Sequence, residues 1–564
     1  MAKNNFQIAE MLTYEQVFSG KPLSTANYVQ KIGRMKVLIL CSYFVNLDIL
    51  SLQKDPLKFV YDFFVKENQD FADKFASLLL AKFGSQVGST PFSTLNFINE
   101  IALYYIIEVA LTASDSNGQE IEIIAEDQIE FMRMFLAVNS IIVNRQESLY
   151  QNKMDNIADA IPIMTACQIA DYDYSQQNLI EVCLAQLFKC VYFFQFSEKE
   201  LPIHLQLFNK NYGVNSWKDY IRCLCSLIIP TIKDNIGGYI VIPSDIEDYE
   251  QVVTIFDNLS CKKFDADEDY DFINLRQHPL YKMQDGSYMI LSKLFLIEKL
   301  YKGLYFEFKE INDSLVGQEM YIKNLRSFIG EKFSEEYLCN YILNKCFPKR
   351  FVKKSGADFR AEGIKNSEPD YYVRNKNKVF LFECKDALFS SAIKISYDTQ
   401  KVTEEIQRKL FFTIEKGKEK RKAIRQLLFN SHRLIQGSII DDDIKKDFVR
   451  IYPIIVTHDR AFSAPGTNWI VNKWFEQELQ SNYSDVKKYI SPITIINIDA
   501  FILSFLHLQS RRFVLEHKIE EFSSLLKNDK ELGQKSFVDY FHGQLFDKGL
   551  DFDKQLEDLK CLTL

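Results

Sequence analysis

The sequence predicts an α+β protein with several domains: an α-helical N-terminal part, a small α/β connector, and a C-terminal α/β core with a mixed sheet and a helical tail. Three observations lead to this fold class. The 564 residues exceed what one hydrophobic core usually supports. Apolar residues recur at three- and four-residue steps from about Ser24 to Pro230, as in amphipathic helices. Beyond Gly238, short β-branched or aromatic runs alternate with helical stretches, which indicates a sheet covered by helices.

The first two predicted domains are a helical domain over residues 1–234 and a connecting α/β segment over residues 235–312. In the connector, Tyr239–Pro243 predicts a strand, and the Asp285–Gly286 pair predicts the turn of a hairpin. Neither domain contains a recognisable catalytic constellation. The size of the helical domain suggests regulation, sensing, or binding of a protein partner or of a second copy of the chain.

The composition is that of a soluble globular protein, with 47% hydrophobic and 26% charged residues. The net charge of −8 excludes a uniformly basic surface, so any nucleic-acid contact must be a local positive patch. The eleven cysteines form no C-x-x-C pair, which favours reduced thiols in a cytoplasmic protein. The polar N-terminus lacks a signal-peptide pattern, and the most apolar runs are too short or too interrupted by charge to cross a bilayer. We therefore expect no membrane association.

The most informative stretch of the chain is a predicted hairpin. Two apolar-rich runs, Tyr371–Arg374 and Val379–Cys384, flank four polar residues, which is the pattern of antiparallel strands joined by a tight turn. A turn centred on residues 376–377 sets Asp370 opposite Glu383. Residues directly opposite each other in a hairpin lie on one face, with their β carbons roughly 4.5 to 5.5 Å apart. Two carboxylates are therefore expected to share one small patch.

This patch has the chemistry of a cation site. Side chains alternate along a strand, so Lys385 joins Asp370 and Glu383 while the Cys384 side chain points away. Two carboxylates this close need a compensating cation, and Mg²⁺ (or Mn²⁺) favours carboxylate oxygens completed by waters and phosphate oxygens. The main-chain carbonyl of Cys384 is a further candidate metal ligand. Lys385 is expected to orient or help deprotonate an attacking water and to stabilise charge on a phosphate.

These residues give the chain a resemblance to the PD-(D/E)xK nuclease superfamily, whose signature is Pro-Asp, a short hairpin, and then Glu or Asp, any residue, and Lys. Pro369–Asp370 and Glu383–Lys385 match this signature, and the resemblance covers roughly residues 320–500. It implies a restriction-endonuclease-like core in a domain over residues 313–500, with a helical tail over residues 501–564 packed on it. The implied activity is metal-dependent hydrolysis of phosphodiester bonds.

The helix before the hairpin supplies a candidate third acid. Members of the superfamily often carry a glutamate there in the wording Gly-x-x-Phe-Glu, but this chain has Ser334 at the glutamate position. At 100° per residue, Glu331 and Glu335 lie together at one border of the apolar helical face. We expect Glu335, ahead of Glu331, to assist catalysis. The other interpretation is that these acids only solvate the helix.

A basic stretch follows the hairpin. Helical periodicity extends over Ser396–Phe429, and residues 394–433 hold eleven basic and five acidic side chains. This local excess predicts contact with a nucleic-acid backbone, although a solvated helix face is the alternative. The residues expected to bind nucleic acid are Lys416, Lys418, Lys420, Arg421, Lys422 and Arg425.

One tract within this basic stretch, Lys422–Leu428, resembles the polar helix that follows E-x-K in many members of the superfamily. A glutamine on that helix points to the active site in those members. The resemblance therefore makes Gln426 a candidate site residue.

The resemblance implies a Mg²⁺-dependent nuclease, with DNA favoured over RNA as the substrate. A nuclease core joined to a large helical domain is typical, by analogy of architecture, of bacterial anti-phage defence or mobile-element proteins. One alternative is a catalytically inactive nucleic-acid-binding or scaffold protein with a nuclease-like fold, and another is a partner-recruiting helical protein with a coincidental hairpin. Intact P-D and E-x-K motifs argue against the inactive form. The sequence has no G-x-x-x-x-G-K-[ST] loop, so nothing indicates an NTPase.

Overall fold

The computed structural model describes residues 10–46, 56–83, 95–96, 98–113, 121–150, 157–174, 178–233, 238–246, 248–261, 271–364, 368–415, 417–437, 444, 448–527 and 535–546. It is a mixed α+β protein, as predicted, and it divides into two compact units. Within the described ranges, the first unit comprises residues 1–151, 174–186 and 203–311, and the second comprises residues 152–173, 187–202 and 312–564.

The N-terminal half is mainly helical, as its apolar periodicity predicts. Its α-helices are α1 Tyr14–Val17, α2 Thr25–Ile32, α3 Arg34–Val45, α4 Pro56–Phe63, α5 Gln69–Phe83, α6 Glu100–Thr112, α7 Ala125–Tyr150, α8 Ile157–Asp171, α9 Leu179–Glu200, α10 Pro202–Asn211, α11 Trp217–Lys233, α12 Tyr249–Asn258, α13 Ile273–Gln277, α14 Lys293–Glu298 and α15 Leu304–Ser314, with a 3₁₀ turn at Lys66–Asn68. Strands β1 (Glu10–Met11) and β2 (Leu95–Asn96) form a short parallel pair.

The predicted hairpin of the connector is confirmed. Strands β3 (Tyr239–Ile240), β4 (Leu280–Lys282) and β5 (Tyr288–Ile290) form an antiparallel sheet in the order β3-β5-β4. Gly286 in the turn between β4 and β5 has a φ of +83°, a conformation that glycine adopts without steric cost. These strands belong to the first compact unit together with the helices around them.

One helix passes a length and composition test for a membrane span. Among the described residues, α9 is long and apolar enough to cross a bilayer, but 83% of its most apolar window is buried inside the protein. The core helix of a globular protein passes the same test, since it too is apolar on all sides.

The second unit is built around strands and helices of the C-terminal half. Its strands are β6 Val352–Ser355, β7 Tyr371–Asn375, β8 Lys378–Lys385, β9 Phe412–Glu415, β10 Lys418–Arg421, β11 Arg450–Thr457 and β12 Thr494–Asn497. Its helices from residue 325 onward are α16 Leu325–Phe328, a π-helix Ile329–Cys339, α17 Asn340–Cys346, α18 Gly356–Ala361, α19 Ser391–Lys394, α20 Thr399–Leu410, α21 Ala423–Ile435, α22 Thr467–Asn482, α23 Ile498–Gln509, α24 Leu515–Leu526 and α25 Phe537–Phe546, with 3₁₀ turns at Arg460–Ser463 and Ser484–Tyr489.

Five of these strands form a mixed sheet in the order β12-β11-β8-β7-β6. The β6–β7 and β7–β8 pairs are antiparallel, whereas β8–β11 and β11–β12 are parallel. The predicted register of the central hairpin is confirmed, since Arg374 lies opposite Val379. The ladder ends at the pair Tyr371–Phe382, one pair short of Asp370 and Glu383. Strand β8 is buried at its six central residues, as expected for a strand with neighbours on both sides and helices over the sheet.

Segments from the N-terminal half complete the second unit, so its composition differs from the predicted domain boundary at residue 234. Lys394 forms a buried ion pair of 2.5 Å with Asp173, just after α8. The Thr165 hydroxyl lies so close to Gly466 that a β carbon there would overlap it. Helical periodicity shows that a helix is buried but not which distant residues bury it, and for this reason the sequence did not reveal these contacts.

The predicted continuous helix over Ser396–Phe429 is wrong between residues 411 and 422. Helix α20 ends at Leu410, and the antiparallel hairpin β9–β10 follows before α21 begins. Phe412, Thr413 and Ile414 have high strand propensity, and Gly417 in the turn has a φ of +74°. The dense charge around them hid this strand pattern in the sequence.

Candidate active site

Asp370, Glu383 and Lys385 lie together at the C-terminal end of β8. The Lys385 ammonium is 3.1 Å from Glu383 Oε2 and 3.8 Å from Asp370 Oδ2. Asp370 lies just beyond the end of the ladder, where its Oδ2 accepts a hydrogen bond of 2.7 Å from the N–H of Cys384. The three side chains that the hairpin register predicts to share a patch therefore do so.

The patch has a buried base and a partly open side. The Glu383 side chain is fully buried, while those of Lys385 and Asp370 are 17% and 28% exposed. Glu383 Oε1 is buried and accepts no hydrogen bond from the described residues. An orphaned carboxylate oxygen in a buried position costs free energy unless something else satisfies it.

Burial and charge set the protonation of this patch. Burial, followed by the charge of Asp370, raises the pKa of Glu383 well above its ordinary value, and Lys385 offsets only part of this rise. Burial alone would lower the pKa of Lys385, but the charges of Glu383, Asp370 and Glu335 raise it overall. The direction of this shift favours the charged form of Lys385, which suits it to stabilising negative charge.

The donor set fits a hard divalent cation. It offers the carboxylates of Asp370 and Glu383, including the orphaned oxygen, and Mg²⁺ needs only one or two protein carboxylates. In the described part of the chain, no group of three or more His, Cys, Asp or Glu side chains is arranged to hold a metal, so the remaining ligands would come from main chain, solvent and substrate. The N–H and C=O of one residue point to the same edge of a strand, and the N–H of Cys384 faces Asp370. The Cys384 carbonyl therefore lies on the Asp370 side of β8.

The Cys384 side chain points away from the patch, as predicted. Its sulfur lies 3.3 Å from His458 Nε2 and 3.9 Å from the carbonyl of Ser334. Burial raises the pKa of the Cys384 thiol well above its ordinary value, so the thiol stays protonated. Any ligand from this residue would therefore be its carbonyl oxygen.

The structure brings Glu335 into the electrostatic field of Lys385 and Asp370. Burial raises the pKa of Glu335 to about 8, the charge of Lys385 lowers it in part, and Asp370, Asp386 and Glu331 add smaller increases. The Glu331 side chain is 64% exposed and lies 4.0 Å from Lys332. That Glu335 assists catalysis, ahead of Glu331, stays a prediction.

The residue at the expected glutamate position, Ser334, has another contact. Its hydroxyl donates a hydrogen bond of 2.6 Å to Asp386 Oδ2. Arg326 holds the same carboxylate, with Nη2 at 2.6 Å from Oδ1 and Nη1 at 3.1 Å from Oδ2. Although burial raises the pKa of Asp386, the charges of His458 and Arg326 lower it below its ordinary value. This cluster fixes the residue that directly follows Lys385.

Sequence reasoning missed Asp386 and Arg326, and it also missed the π-helix before the hairpin. Ile329, Ser334 and Cys339 are all buried, at a spacing of five residues that matches π-helical hydrogen bonding. At 3.6 residues per turn Ser334 also falls on the apolar face, between Phe333 and Leu338, so the π-helix does not account for the missed bond between Ser334 and Asp386. The only sequence signal for Asp386 was its position next to E-x-K.

The predicted nucleic-acid-binding residues occupy two different environments. Lys418, Lys420 and Arg421 are exposed on β10, while Lys416 lies outside the described residues. Arg425 pairs with Glu419 and Glu478 and lies over the rings of Phe411 and Phe412, so it also has a structural role.

Lys422 and Gln426 lie at the start of α21, which packs against β8 and β11. Lys422 is partly buried, and burial lowers its pKa, with smaller decreases from the positive charges of Lys420, Lys385 and Lys409. Lys422 is therefore within electrostatic reach of the patch. Gln426 is half-buried one helical turn further on.

Comparison of the chain with family models, with curated proteins and with solved structures finds no match. The functional argument therefore depends on the residues and geometry described above.

Proposed function

We propose that this protein is a metal-dependent nuclease that hydrolyses phosphodiester bonds, with DNA favoured over RNA and with Mg²⁺ or Mn²⁺ as its cofactor. The observation that carries the proposal is the convergence of Asp370, Glu383 and Lys385, with Lys385 Nζ 3.1 Å and 3.8 Å from the two carboxylates. The orphaned Glu383 Oε1 supports a cation as the missing partner.

Each side chain has a distinct role in this proposal. Asp370 and Glu383, with the carbonyl of Cys384, would hold the cation, which when bound would neutralise the carboxylates and polarise the phosphate. Lys385 would donate to the phosphate and stabilise the negative charge that develops on it. Glu335 and Gln426 would assist from the neighbouring helices. The residues that would contact the nucleic-acid backbone are Lys418, Lys420, Arg421, Lys422 and Arg425.

The topology of the second unit supports a restriction-endonuclease-like core. A helical segment precedes three antiparallel strands, β6, β7 and β8, and α20 and α21 lead to the parallel strand β11. This αβββαβ order is the one that the resemblance to the PD-(D/E)xK superfamily implies for the core. A cytoplasmic location, which the cysteine pattern favours, belongs to the same proposal. A role in anti-phage defence and binding of a partner or second copy through the N-terminal part also belong to it and depend on architecture alone.

The proposal is tested by incubating the protein with plasmid and single-stranded DNA, with Mg²⁺ or with EDTA. We expect Mg²⁺-dependent cleavage that Asp370→Ala and Lys385→Ala abolish, while Lys487→Ala, at an exposed site in the Ser484–Tyr489 turn, leaves it unchanged. DNA binding without metal-dependent cleavage would instead favour an inactive nucleic-acid-binding protein.

A further inference from the structure

The β9–β10 hairpin is a two-stranded ribbon that projects its charged side chains into solvent. Its strands pair in register from Phe412 opposite Arg421 to Glu415 opposite Lys418. All four residues of β10 are exposed. An isolated two-stranded hairpin is only marginally stable in water. Because β10 is exposed, a role in forming the hydrophobic core does not account for this ribbon.

One face of the ribbon carries two lysines. Residues opposite each other share a face, so Lys418 and Lys420 lie on one face with Glu415 and Thr413. Lys420 lies 3.5 Å from Glu415, but both side chains are more than half exposed. An exposed ion pair contributes little free energy, so a phosphate can readily replace this carboxylate as the partner of Lys420.

The other face of the ribbon is tied to the body of the unit. Glu419 pairs with Arg425, and the Arg425 guanidinium lies over the Phe412 ring. The lysine face is therefore the one that is available to a ligand.

The base of the ribbon lies beside the candidate active site. The N–H of Lys422 donates to the carbonyl of Phe411 at 3.0 Å and closes the hairpin where α21 begins. Helix α21 packs against β8, the strand that carries Glu383 and Lys385. The charge of Lys385 also acts on Lys422. A polymer bound at the patch would thus pass close to the ribbon.

The ribbon has the dimensions of a groove-binding element. Four residues per strand extend about 13 Å, at roughly 3.3 Å per residue. The major groove of B-form DNA, about 12 Å wide, admits a two-stranded β-ribbon. The major groove of A-form RNA is deep and narrow, and side chains cannot read it. Lysines on the free face complement the phosphates on both sides of such a groove.

We propose that the β9–β10 hairpin enters the major groove of duplex DNA, with Lys418 and Lys420 contacting the phosphates that border the groove. This deepens the proposed function by naming double-stranded DNA as the substrate class. It depends on the proposed function only for the cleavage step, since groove binding needs no catalysis.

The test measures binding in EDTA by fluorescence anisotropy, with a DNA duplex of about three helical turns, one of its single strands, and an RNA duplex of the same sequence. The variant is Lys418→Thr/Lys420→Thr, and the charge-matched control is Lys487→Thr/Lys488→Thr, at an exposed pair in the same unit. Thermal melting verifies that both variants fold as the wild type does.

We expect the hairpin variant to bind the DNA duplex about tenfold more weakly, with a salt slope reduced by about two, one for each lost phosphate contact. Its binding to the single strand should change less than about twofold, and the control should match the wild type. Equal losses on duplex and single strand, no loss on the duplex, or tighter wild-type binding to the RNA duplex would each overturn the inference.

Cleavage assays on the same DNA separate this inference from the proposed function. If the wild type binds duplex through the hairpin but cuts no DNA, the nuclease proposal fails and the groove-binding inference stands. If the hairpin variant cuts and binds duplex as well as the wild type does, the inference fails and the nuclease proposal stands.

Discussion

The N–H of Cys384 donates a hydrogen bond of 2.7 Å to Asp370 Oδ2, and this bond ties a carboxylate before β7 to the strand that carries Glu383 and Lys385. The bond forms where the β7–β8 ladder has already ended. A side chain thus takes the place of the next main-chain partner. The position of Asp370 is consequently fixed before any cation or substrate arrives, which is the preorganisation that catalysis by charge stabilisation requires.

Mg²⁺ should stabilise the wild-type protein against unfolding, because only the folded chain brings Asp370 and Glu383 together. At a Mg²⁺ concentration about ten times the dissociation constant, the expected gain is about 1.4 kcal/mol. Asp370→Asn and Glu383→Gln should abolish the gain, measured as a shift in Tm. Glu336→Gln, at a partly exposed carboxylate paired with Lys332, is the control and should keep it. A shift that survives in both site variants would place the cation elsewhere.

Glu335→Gln should change how stability depends on pH in metal-free protein. The folded state holds the Glu335 proton up to about pH 8, while the unfolded chain releases it near pH 4.5. Between these values the folded state binds more protons, so the free energy of unfolding of the wild type falls as pH rises. The variant does not lose stability in this way. Its free energy of unfolding relative to that of the wild type should therefore rise by about 1–3 kcal/mol over this pH range, a value reduced for solvent screening because the Glu335 side chain is partly exposed.

The measurement for Glu335 is a series of thermal melts in EDTA from below pH 5 to above pH 8. The difference between variant and wild type should rise until about pH 8 and then level off. Glu331→Gln, at an exposed carboxylate of the same helix, serves as the control. A difference that is constant or falls with pH would contradict the buried placement of Glu335.

Ser334→Ala should lower both stability and turnover. It removes a buried hydrogen bond to the charged Asp386, worth about 1.5–3 kcal/mol. Asp386 follows Lys385, so a looser Asp386 should reduce kcat about tenfold with little change in KM, while Arg326 keeps the loss partial. Ser327→Ala, at an exposed serine, is the control. Unchanged kcat with reduced stability would limit Ser334 to a purely structural role.

The effects on stability of replacing Lys394 and of replacing Asp173 should be strongly coupled, because the two side chains form a buried ion pair. Breaking it with Asp173→Leu or with Lys394→Met should cost about 3–5 kcal/mol in each case, because one buried charge loses its partner. The double variant Asp173→Leu/Lys394→Met should cost much less than the sum. Urea unfolding of the wild type and these variants gives the coupling energy. Additive losses would show that the two side chains do not stabilise each other.

The central hairpin could be predicted because two local constraints fix it. A two-residue turn at 376–377 sets the register, and strand alternation then assigns Glu383 and Lys385 to one face. Asp370 and Glu383 lie close together, as predicted, but they do not form a directly opposed pair of the ladder. The ladder stops at Tyr371, and the Asp370 side chain bonds the strand directly.

The remaining features depend on information that local patterns do not carry. Arg326 meets Asp386 across 60 residues of sequence, and Lys394 meets Asp173 across 221. Helical faces are assigned in a sequence from a period of 3.6 residues, whereas the π-helix Ile329–Cys339 has i to i+5 hydrogen bonds and a longer period. The charged residues of the β9–β10 hairpin did not interrupt the helical periodicity of the segments on either side of it. Gly417 was the sequence signal for the turn.

The central claim is that Asp370, Glu383 and Lys385 surround one cation. Its most direct test replaces Mg²⁺ with Fe²⁺ and adds hydrogen peroxide and ascorbate, so that hydroxyl radicals form at the bound ion and cut the main chain nearby. We predict cuts within a few residues of 370 and 383–386, suppressed by excess Mg²⁺ and absent in Asp370→Asn. Cuts that cluster elsewhere, or that Asp370→Asn leaves unchanged, would contradict the account.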